Sequence, residues 1–164
     1  MAVPGRTREN PRGRMNRSRM QRLRTALRLP PSDWMLVIEA GAELLRCSAR
    51  EWLLGSERSM AMLGRPSPVA GIGTQVCGRE ALAKRIGWAL RAANRVLPWH
   101  SRCLIEAAAG RRMLRRRGLP ARVTVGMAND PVKGLHGHAW LHSGECWITG
   151  REGSREFKPL AVYH

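Results

Sequence analysis

The sequence predicts an α+β fold in which helices come first and an antiparallel sheet follows. Between residues 80 and 118, apolar residues recur at the helical spacing of three to four positions. From residue 121 onward the spacing changes to two, which is typical of half-buried strands. Because the helices precede the strands instead of alternating with them, the pattern favours an α+β plan over a parallel sheet.

The length and the cysteines indicate one ordinary domain that needs no covalent or metal support. A chain of 164 residues is long enough to bury a core of its own. Its four cysteines include no Cys-x-x-Cys pair, so neither a zinc site nor a disulfide framework is predicted. We therefore expect no metal, no cofactor and a reducing compartment. No run reaches the roughly 20 apolar residues of a membrane span, so we expect a cytoplasmic protein.

Residues 1–29 are strongly basic, and we predict that they form a disordered tail. The chain carries a net charge of +17, and nine arginines lie between Arg6 and Arg28 with Glu9 as the only acid among them. Such charge raises the hypothesis of nucleic-acid binding. The segment contains no aromatic residue that would stack on bases, so a solvated tail is favoured over a nucleic-acid-binding arm.

Residues 30–78 are predicted to form a helical region that ends in a linker. Apolar spacing predicts a helix over residues 34–46 and a second over residues 49–63. Residues 66–78 are rich in glycine and proline, which indicates a linker. We expect residues 79–164 to form the core domain.

Two helices begin this core, and the second carries a cysteine at its start. Residues 80–97 show the clearest helical stripe in the chain. In the next helix Ser101 is the predicted N-cap, Gly118 lies just past the end, and Cys103 falls at about the second helical position. The positive end of the helix dipole favours thiolate over thiol, so Cys103 suits a nucleophile. The alternative is a small apolar residue of the core.

Alternating residues predict three strands after the helices. These are residues 121–127, 136–142 and 145–149. Ser143 and Gly144 suit a two-residue hairpin turn between the second and third strands. This turn would pair His142 with Glu145, Trp140 with Trp147, and His138 with Thr149.

One histidine of the middle strand is a candidate base for Cys103. His136, His138, Trp140 and His142 alternate along the strand and therefore share a face. A nucleophilic cysteine needs a histidine on an adjoining element to take its proton. His138 is the best candidate because Trp140 would shield the same face, although a structural or surface role for this histidine is the alternative.

A series of short motifs follows residue 96 in a defined order. They are Leu97-Pro98-Trp99, Arg102-Cys103-Leu104, Met113 to Pro120, Val125-Gly126, His138-Ala139-Trp140-Leu141, and Ile148-Thr149-Gly150 with Phe157 further on. In this order and spacing they resemble the transglutaminase-like cysteine peptidases of lasso peptide biosynthesis. These are the B proteins that remove the leader from the precursor. The resemblance covers roughly residues 30 to 164.

The resemblance implies that residues 79–164 form a papain- or transglutaminase-like core. Cys103 would attack the peptide carbonyl after the last leader residue, and His138 would take the thiol proton and return one to the leaving amine. The backbone N–H of Cys103 would help to hold the oxyanion. In this family an Asp commonly orients the histidine, but the predicted register puts Thr149 or Gly150 there. The third member of the site therefore stays open among Thr149, Glu152 and Asp130.

The resemblance also implies partners. The leader is commonly recognised by a small winged-helix-like element, either fused to the peptidase or separate, and residues 1–78 show no strand pattern of that kind. We therefore expect the precursor peptide, a separate leader-recognition protein and an ATP-dependent lasso cyclase as partners. Two other classes of function stay open, an arginine-rich nucleic-acid-binding protein and a non-catalytic scaffold of the same fold.

Overall fold

The computed structural model describes residues 30–61, 63–64, 66–67, 79–97, 102–132 and 134–164. The basic tail, most of the predicted linker and the Ser101 cap lie outside the described residues. The compact unit that carries the candidate site comprises Met35–His164.

Helix α1 spans Pro31–Ala61 and is broken only at Gly55, whose φ of 77° and ψ of 166° are not helical. The predicted boundary between two helices near residues 46–49 is therefore wrong. Cys47, Ser48 and Ala49 continue the helix because none of them lacks an N–H or requires positive φ, whereas Gly55 adopts positive φ without steric strain. The buried apolar face of the helix consists of Leu36, Ala40, Leu44 and Cys47.

Helices α2 (Glu80–Val96) and α3 (Cys103–Arg115) confirm the predicted pair. Small buried residues on α3 let the helix lie against the sheet. A β-carbon at Gly110 would come within 2.6 Å of Leu141 Cδ2 and 2.8 Å of Leu90 Cδ1. Helix α3, which carries the candidate site at its start, therefore packs closely against the helix that contains Leu90 and the strand that contains Leu141.

The sheet is antiparallel and has the strand order β3-β2-β1-β4. Its strands are β1 (Arg122–Asp130), β2 (Gly134–Ser143), β3 (Cys146–Thr149) and β4 (Lys158–Tyr163), with a short 3-10 helix, Ser154–Glu156, before β4. Helices followed by this sheet confirm the predicted α+β class. Strand β4 was not predicted because Pro159 argues against a strand, yet β4 lies at the edge of the sheet, where proline is tolerated.

The register of the β2–β3 hairpin differs from the predicted one. The turn residues are Gly144 and Glu145, and Ser143 pairs with Cys146. Gly144 has a φ of 57°, and a glycine at the first turn position is the signature of a type II′ turn. One extra residue then interrupts the pairing in β3. The three predicted pairs are therefore wrong, and the observed partners are His142 with Trp147 and Leu141 with Thr149.

The arginine run at the end of α3 is used for packing against α1. Arg112 Nε lies 2.8 Å from Glu43 Oε2, and Arg116 Nη2 lies 2.5 Å from Glu43 Oε1. Arg117 binds both carboxylate oxygens of Glu39, at 2.5 and 3.0 Å. Three arginines that contribute to the basic charge of the sequence are thus paired within the fold, which weakens the argument for nucleic-acid binding by this part of the chain.

We expect Glu43→Gln to lower the free energy of unfolding by about 1–3 kcal/mol, because Arg112, Arg116 and, at 3.6 Å, Arg46 lose a buried carboxylate. The loss stays below that of a fully buried pair since these arginine side chains are 44% to 56% exposed. Urea unfolding measures it. The matched control is Glu80→Gln, which removes an exposed ion pair with Lys84 and should change stability by less than about 0.5 kcal/mol. Equal effects of the two substitutions would contradict the role assigned to Glu43.

His142 makes stability depend on pH. Its side chain is buried, its ring lies 4.0 Å from that of Trp147, and burial together with the charge of Arg122 lowers its pKa to about 4. Between pH 6.5 and 4 the unfolded chain therefore binds a proton at this residue that the folded protein does not. Stability should fall by about 2–3 kcal/mol as the pH falls through this range. Thermal unfolding across pH should show that His142→Gln flattens the dependence while His136→Gln leaves it unchanged.

Candidate active site

Cys103 is the first helical residue of α3, one position earlier than predicted. Arg102 is the N-cap, so the prediction of Ser101 as the N-cap is wrong. Arg102 makes no side-chain capping hydrogen bond, and its guanidinium lies 3.3 Å from Glu51 Oε1 of α1. The Cys103 side chain is half-buried, whereas Cys47 and Cys146 are buried. At the start of a helix the first backbone N–H groups have no acceptor within the helix. Cys103 therefore carries its thiol at the helix end where such backbone donors can stabilise negative charge.

His138 lies within β2 and is oriented by a main-chain oxygen. Its Nε2 is 2.9 Å from the carbonyl oxygen of Gly150, which directly follows β3. Because a carbonyl oxygen only accepts, Nε2 carries the hydrogen and donates it. In the neutral ring this leaves the lone pair on Nδ1, so Nδ1 is the nitrogen able to accept a proton.

Aromatic rings limit the movement of the imidazole. The ring of Phe157 lies 5.0 Å from the ring of His138, and that of Trp140 lies 6.0 Å from it. Trp140 in turn lies across Gly126 of β1, where a β-carbon would come within 2.8 Å of the indole. The glycine of the Val125-Gly126 motif is thus required by the close approach of the indole.

Cys103 and His138 both line one open cavity of about 640 Å³. Of the three residues proposed as the third member, Thr149 and Glu152 also line this cavity, but Asp130 does not. Asp130 Oδ1 instead accepts from the backbone N–H of Val132, 2.8 Å away in the turn after β1. The hydroxyl of Thr149 is buried and has no hydrogen-bond partner among the described residues. Among the described residues, the group that accepts a hydrogen bond from the imidazole is the Gly150 carbonyl.

Three charged residues that line the cavity were not predicted, and they are Arg91, Glu106 and Arg151. Glu106 follows Cys103 by one turn of α3 and accepts a hydrogen bond from the Asn94 amide of α2. Burial raises the pKa of the Glu106 carboxyl, and the nearby charge of Arg91 opposes this effect. Arg91 also donates to the Ile148 carbonyl, with an N–O distance of 3.0 Å. The three-residue spacing from Cys103 to Glu106 places both side chains on one face of α3, so the sequence could have indicated Glu106. Arg91 lies in α2, and no local sequence pattern connects that helix to the site.

The arrangement provides the parts of thiol-based acyl chemistry. A half-exposed thiol, an imidazole with a fixed tautomer and the backbone donors of a helix start meet at one cavity. No group of three or more side chains suited to bind a metal ion occurs among the described residues. Within the same residues, no helix combines the length and the apolar character needed to cross a membrane.

Comparison of the sequence with known protein families identifies a match that covers most of the chain. Residues 42–162 match the transglutaminase-like superfamily, and this range includes Cys103, His138 and Gly150. Comparison with curated proteins and with solved structures gave no match. Since the match spans most of the sequence and contains the whole candidate site, the chain belongs to the transglutaminase-like superfamily.

Proposed function

We propose that this protein is a cysteine endopeptidase that cleaves the leader from a lasso precursor peptide before the macrolactam is closed. Transglutaminase-like proteins typically include cysteine peptidases and acyltransferases, so the family supports thiol acyl chemistry in general. The observation that carries the proposal is that Cys103 lines the same cavity as His138, whose imidazole is oriented by the Gly150 carbonyl.

In the proposed mechanism Cys103 forms a thioester with the last residue of the leader. His138 Nδ1 takes the thiol proton as the sulfur attacks the peptide carbonyl, and the Cys103 N–H helps to hold the oxyanion. The protonated imidazole then gives this proton to the leaving amine of the core peptide. Water, deprotonated by His138, attacks the thioester and releases the leader with a free carboxylate, which restores the thiol.

The lasso precursor is favoured as substrate by the motifs that resemble the leader peptidases of that pathway, above all Arg102-Cys103-Leu104 and His138-Ala139-Trp140-Leu141. We propose a separate leader-recognition protein as the partner that presents the precursor and an ATP-dependent cyclase as the enzyme that uses the released core. A cytoplasmic location is consistent with an ATP-dependent next step.

The direct test is incubation of precursor peptide and leader-recognition protein with the enzyme in water enriched in oxygen-18. Mass spectrometry should find two fragments, with one heavy oxygen in the new carboxylate of the leader. Cys103→Ala should release no leader, and Cys47→Ala, which removes a buried thiol, should release it at the wild-type rate per folded molecule. Equal release by wild type and Cys103→Ala would overturn the proposal. Transfer of the leader to an amine would identify an acyltransferase instead.

A further inference from the structure

Helix α1 has a second apolar stripe that faces solvent, on the side away from its buried face. Met35 is 72% exposed, Ile38 67%, Leu45 46% and Trp52 85%, and the two alanines between them are also exposed. We call this stripe the α1 seam. Its members are Met35, Ile38, Ala42, Leu45, Ala49 and Trp52.

The spacing of the α1 seam is that of a coiled coil. Successive members lie three, four, three, four and three residues apart, which is an unbroken a/d heptad pattern. A core-facing surface helix usually shows a wider stripe, whereas a narrow a/d stripe is the contact line of paired helices. The stripe is narrow over residues 35–49, and Trp34 and Leu53, 40% and 69% exposed, widen it at its two ends. The seam extends over roughly 26 Å of helix. Its form therefore fits another helix and not a small ligand.

The order of large and small side chains makes the seam complementary to itself when it is reversed. In an antiparallel pair of helices, each a position faces a d position of the partner. Met35 then lies against the partner's Trp52. Ile38 lies against the partner's Ala49, and Ala42 lies against the partner's Leu45. Each central layer then combines a large side chain with a small one. A parallel pair would instead set Ala42 and Ala49 against their own copies and leave voids between them.

Charges beside the seam agree with the reversed order. Glu39 and Arg46 lie on the same flank of the seam, at e positions. In an antiparallel pair e positions face each other, so the partner's Arg46 comes within about one helical turn of Glu39. There it would join the ion pairs that Glu39 makes with Arg116 and Arg117 of its own chain. The guanidinium of Arg46 is 56% exposed and its contact with Glu43 is 3.6 Å long, so it can also reach a carboxylate outside its own chain.

We propose that two copies of this chain associate through the α1 seam, with the two helices antiparallel. A surface that is complementary to its own reversed copy produces a closed two-fold dimer. The buried face of α1 packs on its own subunit through Leu36, Ala40 and Leu44, so within the described part of the chain the seam is exposed without unfolding. This inference is independent of the proposed catalytic activity.

Sedimentation equilibrium of the full chain at about 100 µM tests the association, since interfaces near the low end of the size range are weak. Wild type should be a dimer, and Ile38→Glu and Leu45→Glu should each be monomeric. Leu160→Glu is the matched control because it charges an apolar side chain of β4 that is 62% exposed, and it should remain a dimer. Unchanged circular dichroism of the variants excludes unfolding. A monomeric wild type, or a dimer that survives both seam substitutions, would overturn the proposal.

Disulfide capture tests the direction of the helices. Chains carrying Ala42→Cys and chains carrying Leu45→Cys, each with a different mass tag, are mixed under mild oxidation. The antiparallel pair predicts that residue 42 of one chain links to residue 45 of the other, and peptide mapping identifies the link. Predominant linkage of Ala42→Cys chains to each other would show a parallel pair and contradict the proposed arrangement.

Discussion

Cys103→Ala, His138→Ala and the double variant should cleave the precursor at the same residual rate, at least about 1,000-fold below wild type. The thiol and the imidazole act as one unit, because the imidazole serves only to remove and return the proton of the thiol. Once either is lost, loss of the other removes nothing more. The residual rate in all three variants reflects binding and the backbone donors at the start of α3.

The rates are measured under single-turnover conditions with excess enzyme, so that product release does not hide the chemical step. His136→Ala is the matched control, since it removes a half-buried histidine of β2 whose ring also contacts Phe157. Additive losses in the double variant would show that the two residues act separately. A wild-type protein that is folded and binds the precursor, yet never forms product, would instead favour the non-catalytic scaffold.

The parts of the site that could be predicted from sequence are those with local signals. Cys103 stands at a helix start, and that position follows from helical spacing and the proline before it. His138 belongs to an alternating strand, which is visible in the residues themselves. Family motifs connect the two, because neither element alone shows that they meet at one cavity.

The predicted register of the β2–β3 hairpin is wrong because two overlapping residue pairs both suit a tight turn. Ser143-Gly144 and Gly144-Glu145 share Gly144 and differ by a shift of one residue, and only the positive φ of Gly144 at the first turn position decides between them. The extra residue of β3 depends on packing at a distance. A β-carbon on Gly87 of α2 would lie 2.9 Å from the Ile148 carbonyl oxygen, so helix and strand backbones are in direct contact there.

The group behind His138 was missed for a different reason. The resemblance implies an Asp at this position, which favours a side-chain carboxylate or hydroxyl as the orienting group. The contact is made by the carbonyl of Gly150, and every residue has a carbonyl, so no residue type signals it. What the sequence does contain is a glycine at this position, and its φ of 74° shows why it is needed.

Gly150→Ala should therefore damage both the stability and the chemistry of the site. A β-carbon at this residue would lie 2.5 Å from the carbonyl oxygen of Ala139 and 2.8 Å from Trp140 Cβ. Backbone atoms must shift to relieve such contacts, and alanine is strained at positive φ in addition. We expect a loss of at least about 3 kcal/mol in the free energy of unfolding. In the molecules that remain folded, displacement of the carbonyl should release His138 Nε2 and lower the cleavage rate by at least about tenfold.

Gly153→Ala separates the effect of backbone strain at positive φ from the effect of the steric clash that a β-carbon makes at residue 150. Gly153 has a similar φ of 79°, but a β-carbon there would meet only Phe157 Cε2, at 3.9 Å. Its loss of stability should be about 1 kcal/mol, and its cleavage rate per folded molecule should match that of wild type. Equal losses in the two variants would mean that strain alone accounts for the effect at residue 150. A cleavage defect confined to Gly150→Ala would instead show that a main-chain oxygen takes the orienting role that a carboxylate fills elsewhere in the family.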